Sequence, residues 1–477
     1  MPATAFCLHA LGSSSEEFAL LHDRLEDVLD LVGIDLPGFG TSPASSGTTV
    51  EDMVERVERA IGRSGVTEWA LVGHSMGGKV AAIVADRTIS GANGLFGLRG
   101  VVLLAASPRS PEPMGEDRRQ AMLDWAAAGH INTDHAGEFV DANTAATLRS
   151  DRLRSAVYDV ERTDPEAWRA WLERGSREDW SDDTTNPVPA LVLAGAEDGD
   201  LGPSAQQELV LPHWPNGTFA IVPGAAHLLP WEQPDDVADR IRTFWERHAA
   251  NGPVVPAEHA RVIASPRVSA TTRGALAARA LADDPDAEPQ VLTPAQLDTL
   301  RAVAAVVVPQ SGGRTVDVAL RVDAQLADGA GDGWRPDGLP TDVEAYRAAL
   351  DELRAAASRD GATGDDHDGV LADELAAVLA DVLAAIEDGS YEPVGPLTVS
   401  QLAAWAEDAA VDLAKQWLAH PATMAAIDYD GYANGGDGVR KQGFQLLGAG
   451  QREAWEAGPP KAAAALPEDT TGAETTR

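Results

Sequence analysis

Short apolar runs alternate with longer amphipathic segments through the first half of the chain. The runs suit strands that are buried on both faces, whereas Val50 to Ile61 carries apolar residues at helical spacing, after a Thr48 and Glu51 pair spaced as a capping box. The predicted strands lie near 5–8, 31–34, 68–72, 101–105, 189–194 and 218–222. Strands that alternate with helices predict an α/β fold with a parallel doubly wound sheet, whose ligands bind beyond the carboxyl ends of the strands.

The alternation of strands and helices is interrupted between residues 107 and 186. This stretch has the pattern of helices, with tryptophans distributed among charged residues. The tryptophans are Trp125, Trp168, Trp171 and Trp180. An insertion between two strands, at the sheet edge that binds ligands, predicts a helical lid with the tryptophans in its core.

Beyond the α/β domain, predicted over residues 1–248, the pattern contains no further strands. Residues 249–290 are rich in Ala, Pro, Arg and Asp and predict a linker with one helix near 271–282. Residues 291–456 carry apolar residues at helical spacing and predict a separate all-α domain. Residues 457–477 are rich in Pro, Ala, Thr and acidic residues, which predicts a disordered tail.

One motif of the first half carries a specific chemistry. Gly73-His74-Ser75-Met76-Gly77 lies between a predicted strand and a predicted helix, which is the context of a nucleophile elbow. A serine on such a sharp turn exposes its hydroxyl, and the glycines on either side let strand and helix approach closely. Ser75 is therefore the candidate nucleophile. The alternative is a chance match in a glycine-rich chain, which the flanking strand and helix disfavour.

Two later strand ends supply the partners that a nucleophilic serine needs. Asp198 follows the strand near 189–194, and His227 follows the last predicted strand, so the chain order is Ser, Asp, His. In such a triad the histidine accepts the serine proton, and the acid holds the imidazole in the required tautomer. Glu197 and Asp200 are close neighbours of Asp198, and Asp200 is the second candidate for the acid. An ordinary core histidine is the alternative for His227.

Composition excludes several other functions. Acidic residues outnumber basic ones 75 to 37, and the net charge of −38 disfavours binding to nucleic acid and to anionic membranes. Cys7 is the only cysteine, which excludes an internal disulfide and a closed cysteine zinc site. The chain shows no export signal and no long apolar span, so we expect a cytoplasmic protein.

No cofactor or metal ion is predicted from the sequence. The chain has neither a phosphate-binding P-loop motif nor a dinucleotide-binding glycine motif between a strand and a helix. Asp428, Asp430 and Asn434 alternate as in a calcium loop, but Ala433 and Val439 stand where an EF-hand requires glycine and glutamate.

The motifs of residues 4–248 together resemble those of α/β-hydrolases. They are His9-Ala10-Leu11-Gly12, Asp35-Leu36-Pro37-Gly38-Phe39-Gly40, Gly73-His74-Ser75-Met76-Gly77, Gly195-Ala196-Glu197-Asp198 and Gly224-Ala225-Ala226-His227. The resemblance is to lidded esterases, lactonases, carbon-carbon hydrolases and cofactor-free haloperoxidases. It implies hydrolysis of a small ester or lactone through an acyl-enzyme, with the backbone N–H groups of Leu11 and Met76 as the oxyanion hole. A carbon-carbon hydrolase or a haloperoxidase-like enzyme that uses the same triad is the alternative. Ala10 replaces the glycine usual in the family. The two strands that commonly begin the family's sheet are missing, which implies a sheet of about six strands.

The second half resembles the small subunit of gluconate and related sugar dehydrogenases. The similar motifs are Leu292-Thr293-Pro294, His420-Pro421, the Gly- and Tyr-rich stretch 427–436 and Gly443-Phe444. The resemblance implies that residues 291–456 dock a flavin-dependent oxidoreductase of the glucose-methanol-choline type, whose lactone product the hydrolase would open. Exposed aromatic residues among Tyr429, Tyr432 and Phe444 would favour such a partner surface. A simpler alternative for the second half is that it only packs on its own hydrolase or dimerises the chain. The alternative from another class is a chain that acts only as a non-catalytic subunit or chaperone of that oxidoreductase.

Overall fold

The computed structural model describes residues 2–329, 338–359, 370–438, 446 and 448–451. Six parallel strands form one sheet in the order β2-β1-β3-β4-β5-β6. The strands are Ala3–Leu8 (β1), Leu29–Ile34 (β2), Trp69–His74 (β3), Leu98–Leu104 (β4), Ala190–Gly195 (β5) and Gly217–Val222 (β6). The order reverses between β1 and β3, which is where open α/β sheets bind their ligands. The predicted parallel sheet of six strands is confirmed.

Helices between the strands cover both faces of this sheet. They are Ala19–Leu25 (α1), Val50–Ser64 (α2) and Met76–Ile89 (α3). Successive residues of β3 belong to different apolar clusters, with Leu71 facing one and Ala70 and Val72 facing the other. The capping box of α2 uses Thr49 and Asp52, one residue later than predicted, because the helix begins at Val50 and Thr49, with extended backbone, is its N-cap.

The segment between β4 and β5 folds into four helices, as the lid prediction requires. They are Glu116–Trp125 (α4), Thr133–Ala142 (α5), Ser150–Glu161 (α6) and Pro165–Glu173 (α7). Trp168 and Trp171 are buried in the same apolar cluster as Leu11 and Met76. The apolar interior of the lid is therefore continuous with the core beneath the predicted site.

The chain after β5 completes the sheet and its last flanking helices. These elements are the short helices Pro203–Ala205 (α8) and Leu229–Glu232 (α9) and the helix Pro234–Phe244 (α10). Two π-helical segments are Gln206–Val210 and Trp245–Ala249. The 3₁₀ turns in the described part of the chain are Ser15–Phe18, Ala44–Ser46, Gly175–Arg177 and Leu211–His213. Helices α1 and α10 pack together against the face of the sheet opposite α2 and α3.

Residues 249–290, predicted as a linker with one helix, contain two helices. These are Ala257–Ile263 (α11) and Ala270–Arg279 (α12), the second of which corresponds to the predicted helix near 271–282. The guanidinium group of Arg99 in β4 donates to four backbone carbonyls of this segment. Arg273 of α12 donates to three carbonyls within the segment and to that of Gly91 in the hydrolase half. A Cβ on Gly274 would lie 2.8 Å from the carbonyl oxygen of Ser90, so α12 approaches the end of α3 closely. The segment is therefore packed on the hydrolase half rather than extended from it.

The second half is helical, as predicted. Its helices are Pro294–Val307 (α13), Val318–Asp328 (α14), Asp342–Arg359 (α15), Val370–Glu387 (α16), Val399–Ala419 (α17) and Pro421–Ala426 (α18). Helices α13 to α17 enclose an apolar cluster of their own, in which Tyr346 contacts Trp405 edge to face. Ala422 and Met424 of α18 instead pack on the apolar cluster of α11 and α12. No helix among the described residues is long and apolar enough to span a bilayer. The predicted tail, 457–477, lies outside the described residues.

Candidate active site

Ser75 sits on a strained turn between β3 and α3. Its backbone has φ 50° and ψ −115°, a conformation that residues with a side chain rarely adopt. A Cβ on Gly77 would lie 2.1 Å from the carbonyl oxygen of Leu8, and one on Gly73 would lie 2.6 Å from the carbonyl oxygen of Gly77. Both glycines are therefore required by the close approach of strand, helix and neighbouring loop, which is the geometry of a nucleophile elbow.

The structure brings Ser75, His227 and Asp198 into one chain of hydrogen bonds. The Ser75 hydroxyl lies 2.8 Å from Nε2 of His227, and Nδ1 of His227 lies 2.7 Å from Oδ2 of Asp198. Because an ionised carboxylate only accepts, Nδ1 carries the proton and Nε2 is free to accept from Ser75. The second oxygen of Asp198 accepts the backbone N–H groups of Asp200 and Leu201, each at 3.0 Å.

Asp200, the second candidate for the acid, has a different partner. Its carboxylate pairs with Arg118 at the start of α4, while Asp198 alone contacts His227. Burial raises the pKa of Asp198, but the charge of His227 and the hydrogen bonds donated to the carboxylate outweigh it and lower the pKa to about 2. Burial lowers the pKa of His227, and the charge of Asp198 overcomes this, so the pKa is raised above its ordinary value.

The predicted oxyanion donors lie in two loops that are bonded to each other. Gly77 N–H donates to the carbonyl of His9 at 3.2 Å, which holds the turn after Ser75 against the turn after β1. Among the described residues, neither Leu11 nor Met76 has a protein acceptor for its backbone N–H. Both groups are therefore available to a negatively charged oxygen.

The imidazole of His9 orients the Leu11 donor. The carbonyl of Ala10 belongs to the same peptide group as the N–H of Leu11, and it accepts from Nδ1 of His9 at 2.8 Å. Nε2 of His9 accepts the N–H of Leu36 at 3.0 Å, which fixes the tautomer. Ala10 has no positive φ, so its Cβ fits where the family usually has glycine.

Residues 5–240 match the family model described as "Alpha/beta hydrolase family". This half of the chain belongs to the alpha/beta hydrolase family. A 2-succinyl-6-hydroxy-2,4-cyclohexadiene-1-carboxylate synthase of Serratia proteamaculans is 24% identical to the hydrolase over 257 residues, which are 50% of this chain and 91% of that protein. A pimeloyl-[acyl-carrier protein] methyl ester esterase of Yersinia pseudotuberculosis is 26% identical over 247 residues, 50% of this chain and 92% of that protein.

Two further proteins are similar to this chain, one over a shorter stretch and one at lower sequence identity. The dihydrolipoyllysine-residue acetyltransferase component of the acetoin cleaving system of Cupriavidus necator is 39% identical over 83 residues, so the match spans 17% of this chain and 22% of that protein's length. The crystal structure of an enol-lactonase from Burkholderia xenovorans superposes with a TM-score of 0.43 at 18% identity, over 52% of this chain and 92% of that one.

The lid of the hydrolase bonds directly to the loop that carries His227. The carbonyl of Asn143, which follows α5, accepts the N–H of His227 at 3.0 Å and that of Leu228 at 3.2 Å. Arg118 donates to the side chain of Asn143 at 3.0 Å and also pairs with Asp200. Ser75 is only 6% exposed beneath this lid. The contact of Asn143 with the His227 loop therefore contributes to the position of the histidine.

Glu112, at the entry to the lid, is an ionisable group that the sequence did not reveal. The hydroxyl of Ser107 donates to its carboxyl at 3.3 Å, and Ser107 N–H donates to the carbonyl of Ser75 at 2.9 Å. Burial raises the pKa of Glu112, while the charge of His227 opposes that increase. Neither Glu112 nor Arg118 belongs to a recognisable motif, so only the folded lid reveals that they lie near the site.

Proposed function

We propose that the chain is a serine hydrolase that cleaves an ester or lactone through an acyl-enzyme. The observation that carries this proposal is the continuous set of hydrogen bonds from Ser75 through His227 to Asp198, at 2.8 and 2.7 Å. Ser75 Oγ attacks the carbonyl carbon while Nε2 of His227 takes its proton, and the imidazolium then protonates the departing alkoxide. Water attacks the acyl-enzyme in the same way and restores Ser75.

The oxyanion of each tetrahedral intermediate would be bound by the N–H groups of Leu11 and Met76. One such donor contributes about 10²–10³ to the rate in enzymes where it has been removed. Leu11 and Met76 belong to the apolar cluster that includes the lid, so little water reaches them. Hydrogen bonds from their N–H groups to the oxyanion are stronger in such surroundings. A Cβ on Gly12 would lie 3.0 Å from the ring of Trp168. The oxyanion loop is therefore packed directly against the lid.

Ester chemistry also agrees with the name of the Yersinia relative, a methyl ester esterase. Carbon-carbon hydrolases and haloperoxidases resemble the chain in the same motifs, and the Serratia relative is a synthase. A panel of p-nitrophenyl esters, aldonolactones and β-diketones distinguishes these reactions by which member is turned over.

We expect a fluorophosphonate to modify the full-length protein stoichiometrically at Ser75, because the reagent requires an activated serine hydroxyl beside an oxyanion hole. Peptide mass spectrometry locates the adduct. Ser75→Ala should not be labelled, whereas Ser45→Ala, which changes an exposed serine away from the site, should be labelled like the natural protein. Folded protein that takes up no label would favour the non-catalytic subunit over the hydrolase.

The pH dependence of hydrolysis should report the protonation of His227. The neutral imidazole accepts the Ser75 proton, so kcat/KM should be lost as pH falls through the pKa of His227. Because Asp198 raises that pKa, the midpoint of the acidic limb should lie above the ordinary histidine value of about 6.5. Initial rates between about pH 5 and 9 measure it. A midpoint clearly below that ordinary value would contradict the geometry.

The docking of a flavin-dependent sugar dehydrogenase on residues 291–456 stays a prediction. Tyr429 is 50% exposed, but Tyr432 is buried in a cluster with Phe96 and α12, and Phe444 lies outside the described residues. Co-purification of the full chain from its source cell, followed by identification of any flavoprotein, tests it. If the hydrolase opens the lactone that such a dehydrogenase releases, it must also turn over aldonolactones.

A further inference from the structure

Three loops of the proposed active site meet at a buried pair, Glu17 and His74. Both side chains have 0% exposure. Oε1 of Glu17 accepts the N–H of Ala10 at 3.2 Å and lies 3.1 Å from Nδ1 of His74. Nε2 of His74 lies 2.8 Å from the carbonyl oxygen of His227. The pair, one member of which directly precedes Ser75, therefore contacts the oxyanion loop and the backbone of His227.

The proton positions of this pair follow from the partners. A carbonyl only accepts, so Nε2 of His74 carries a proton and donates it to His227. The 3.1 Å contact between Nδ1 and Oε1 is a hydrogen bond when one further proton lies between them, either on the imidazole beside a carboxylate or on a carboxylic acid beside a neutral imidazole. Both states join Glu17, His74 and the His227 loop, and both need an ionisable group at position 17.

The pair also closes a ring of hydrogen bonds around the elbow. The peptide group whose N–H donates to Glu17 has its carbonyl on His9, and that carbonyl accepts the N–H of Gly77. A movement of Glu17 would therefore displace the loop before Leu11 and the turn after Met76 together. The other oxygen of Glu17 has no partner among the described residues, a cost that an apolar side chain at this position would avoid.

We propose that Glu17 and His74 are positioning residues that hold the oxyanion loop and the His227 loop in register with Ser75. The proposal rests on the proposed hydrolase function. Neither residue has an exposed surface with which to touch a substrate, so the pair acts through the geometry of the reacting groups. Misplacement of reacting groups by about 1 Å lowers rates by about 10². The effect should appear in kcat, with KM nearly unchanged.

The test compares Glu17→Leu, Glu17→Gln and the matched control Glu16→Gln in the full-length protein. Glu16 is the exposed neighbour of Glu17, so its change should leave kcat unaltered. Glu17→Leu should lower kcat for p-nitrophenyl butyrate by about 10²-fold and slow fluorophosphonate labelling by the same factor. Glu17→Gln keeps an acceptor for the N–H of Ala10 but cannot share the proton with His74. Its decrease in kcat should therefore be smaller than that of Glu17→Leu, about tenfold.

A spectroscopic measurement separates this proposal from the hydrolase proposal. In protein labelled with ¹⁵N-histidine, the buried proton between Glu17 and His74 should give a far-downfield resonance. It should persist in Ser75→Ala and Glu16→Gln and disappear in Glu17→Leu. Suppose that the resonance behaves this way but kcat of both Glu17 variants stays within about twofold of the natural value. This outcome would refute the positioning role and leave the proposed hydrolase function intact.

The remaining outcomes also decide. Active-site titration with the fluorophosphonate counts competent molecules, so a kcat loss that disappears after correction for that count shows a purely structural role and refutes positioning. Should Glu17→Leu fail to fold, Glu17→Gln with its titrated kcat carries the decision. A natural protein that neither labels nor hydrolyses any ester refutes the proposed function, and the positioning role with it.

Discussion

Ser75→Ala should lower kcat for any ester that the protein hydrolyses by about 10⁴–10⁶-fold, with KM close to the natural value. The hydroxyl is the group that becomes acylated, and its described side-chain hydrogen bond is the one to Nε2 of His227. Removing one oxygen leaves the turn, the lid contacts and both proposed oxyanion donors in place. The residual rate should therefore reflect the binding of the substrate and of the oxyanion alone.

Steady-state kinetics on p-nitrophenyl butyrate measures the effect, with Ser45→Ala as the control for loss of an exposed hydroxyl. The thermal midpoint of Ser75→Ala should stay near that of the natural protein, because a single hydrogen bond contributes only about 1 kcal/mol. Full activity in Ser75→Ala would place the chemistry elsewhere and refute the serine mechanism.

Asp198→Asn should lower kcat by about 10⁴-fold, although the amide is nearly the same shape as the carboxylate. An asparagine can donate to Nδ1 of His227, which moves the imidazole proton to Nε2 and blocks acceptance of the Ser75 proton. The midpoint of the acidic limb should also move to lower pH, since the charge that raises the pKa of His227 is gone.

Asp200→Asn is the matched control for this change. The two aspartates lie two residues apart, and Asp200 pairs with Arg118 instead of His227. Its loss should loosen the contact between the lid and the loop after β5, with a decrease in kcat of tenfold or less, about what a lost salt bridge at a partly exposed site produces. A larger loss in Asp200→Asn than in Asp198→Asn would reverse the assignment of the acid.

The proposed catalytic residues were predictable from sequence because each follows a strand end with local turn chemistry. Gly73 and Gly77 mark the elbow, and the strands before Asp198 and His227 are continuous apolar runs. Glu17 and His74 were not predictable as a pair, since 57 residues separate them and neither position shows a periodic pattern. Only the parallel arrangement of β1 and β3 brings them together.

The segment 249–290 shows where composition misleads. Its Ala, Pro and charged residues predict a linker that packs on nothing. That expectation leaves out the hydrogen bonds and apolar surface that the hydrolase half provides. Arg99 and Arg273 donate hydrogen bonds to backbone carbonyls that would have no donor if these side chains were apolar. Gly274 lets α12 lie against the end of α3 because it has no side chain between them. Backbone-directed hydrogen bonds of this kind leave no hydrophobic periodicity in the sequence.

The packing of this segment sets the smallest piece that could be transplanted into another protein. The family match ends at residue 240, yet Arg99, 5% exposed, donates to carbonyls of residues 249, 252, 253 and 280. A chain cut at residue 248 would leave this guanidinium without those acceptors and would uncover the apolar residues Phe96 and Ile89 that α11 and α12 cover. A portable hydrolase unit therefore runs at least through residue 280, just after α12 and about forty residues beyond the match that its family shares.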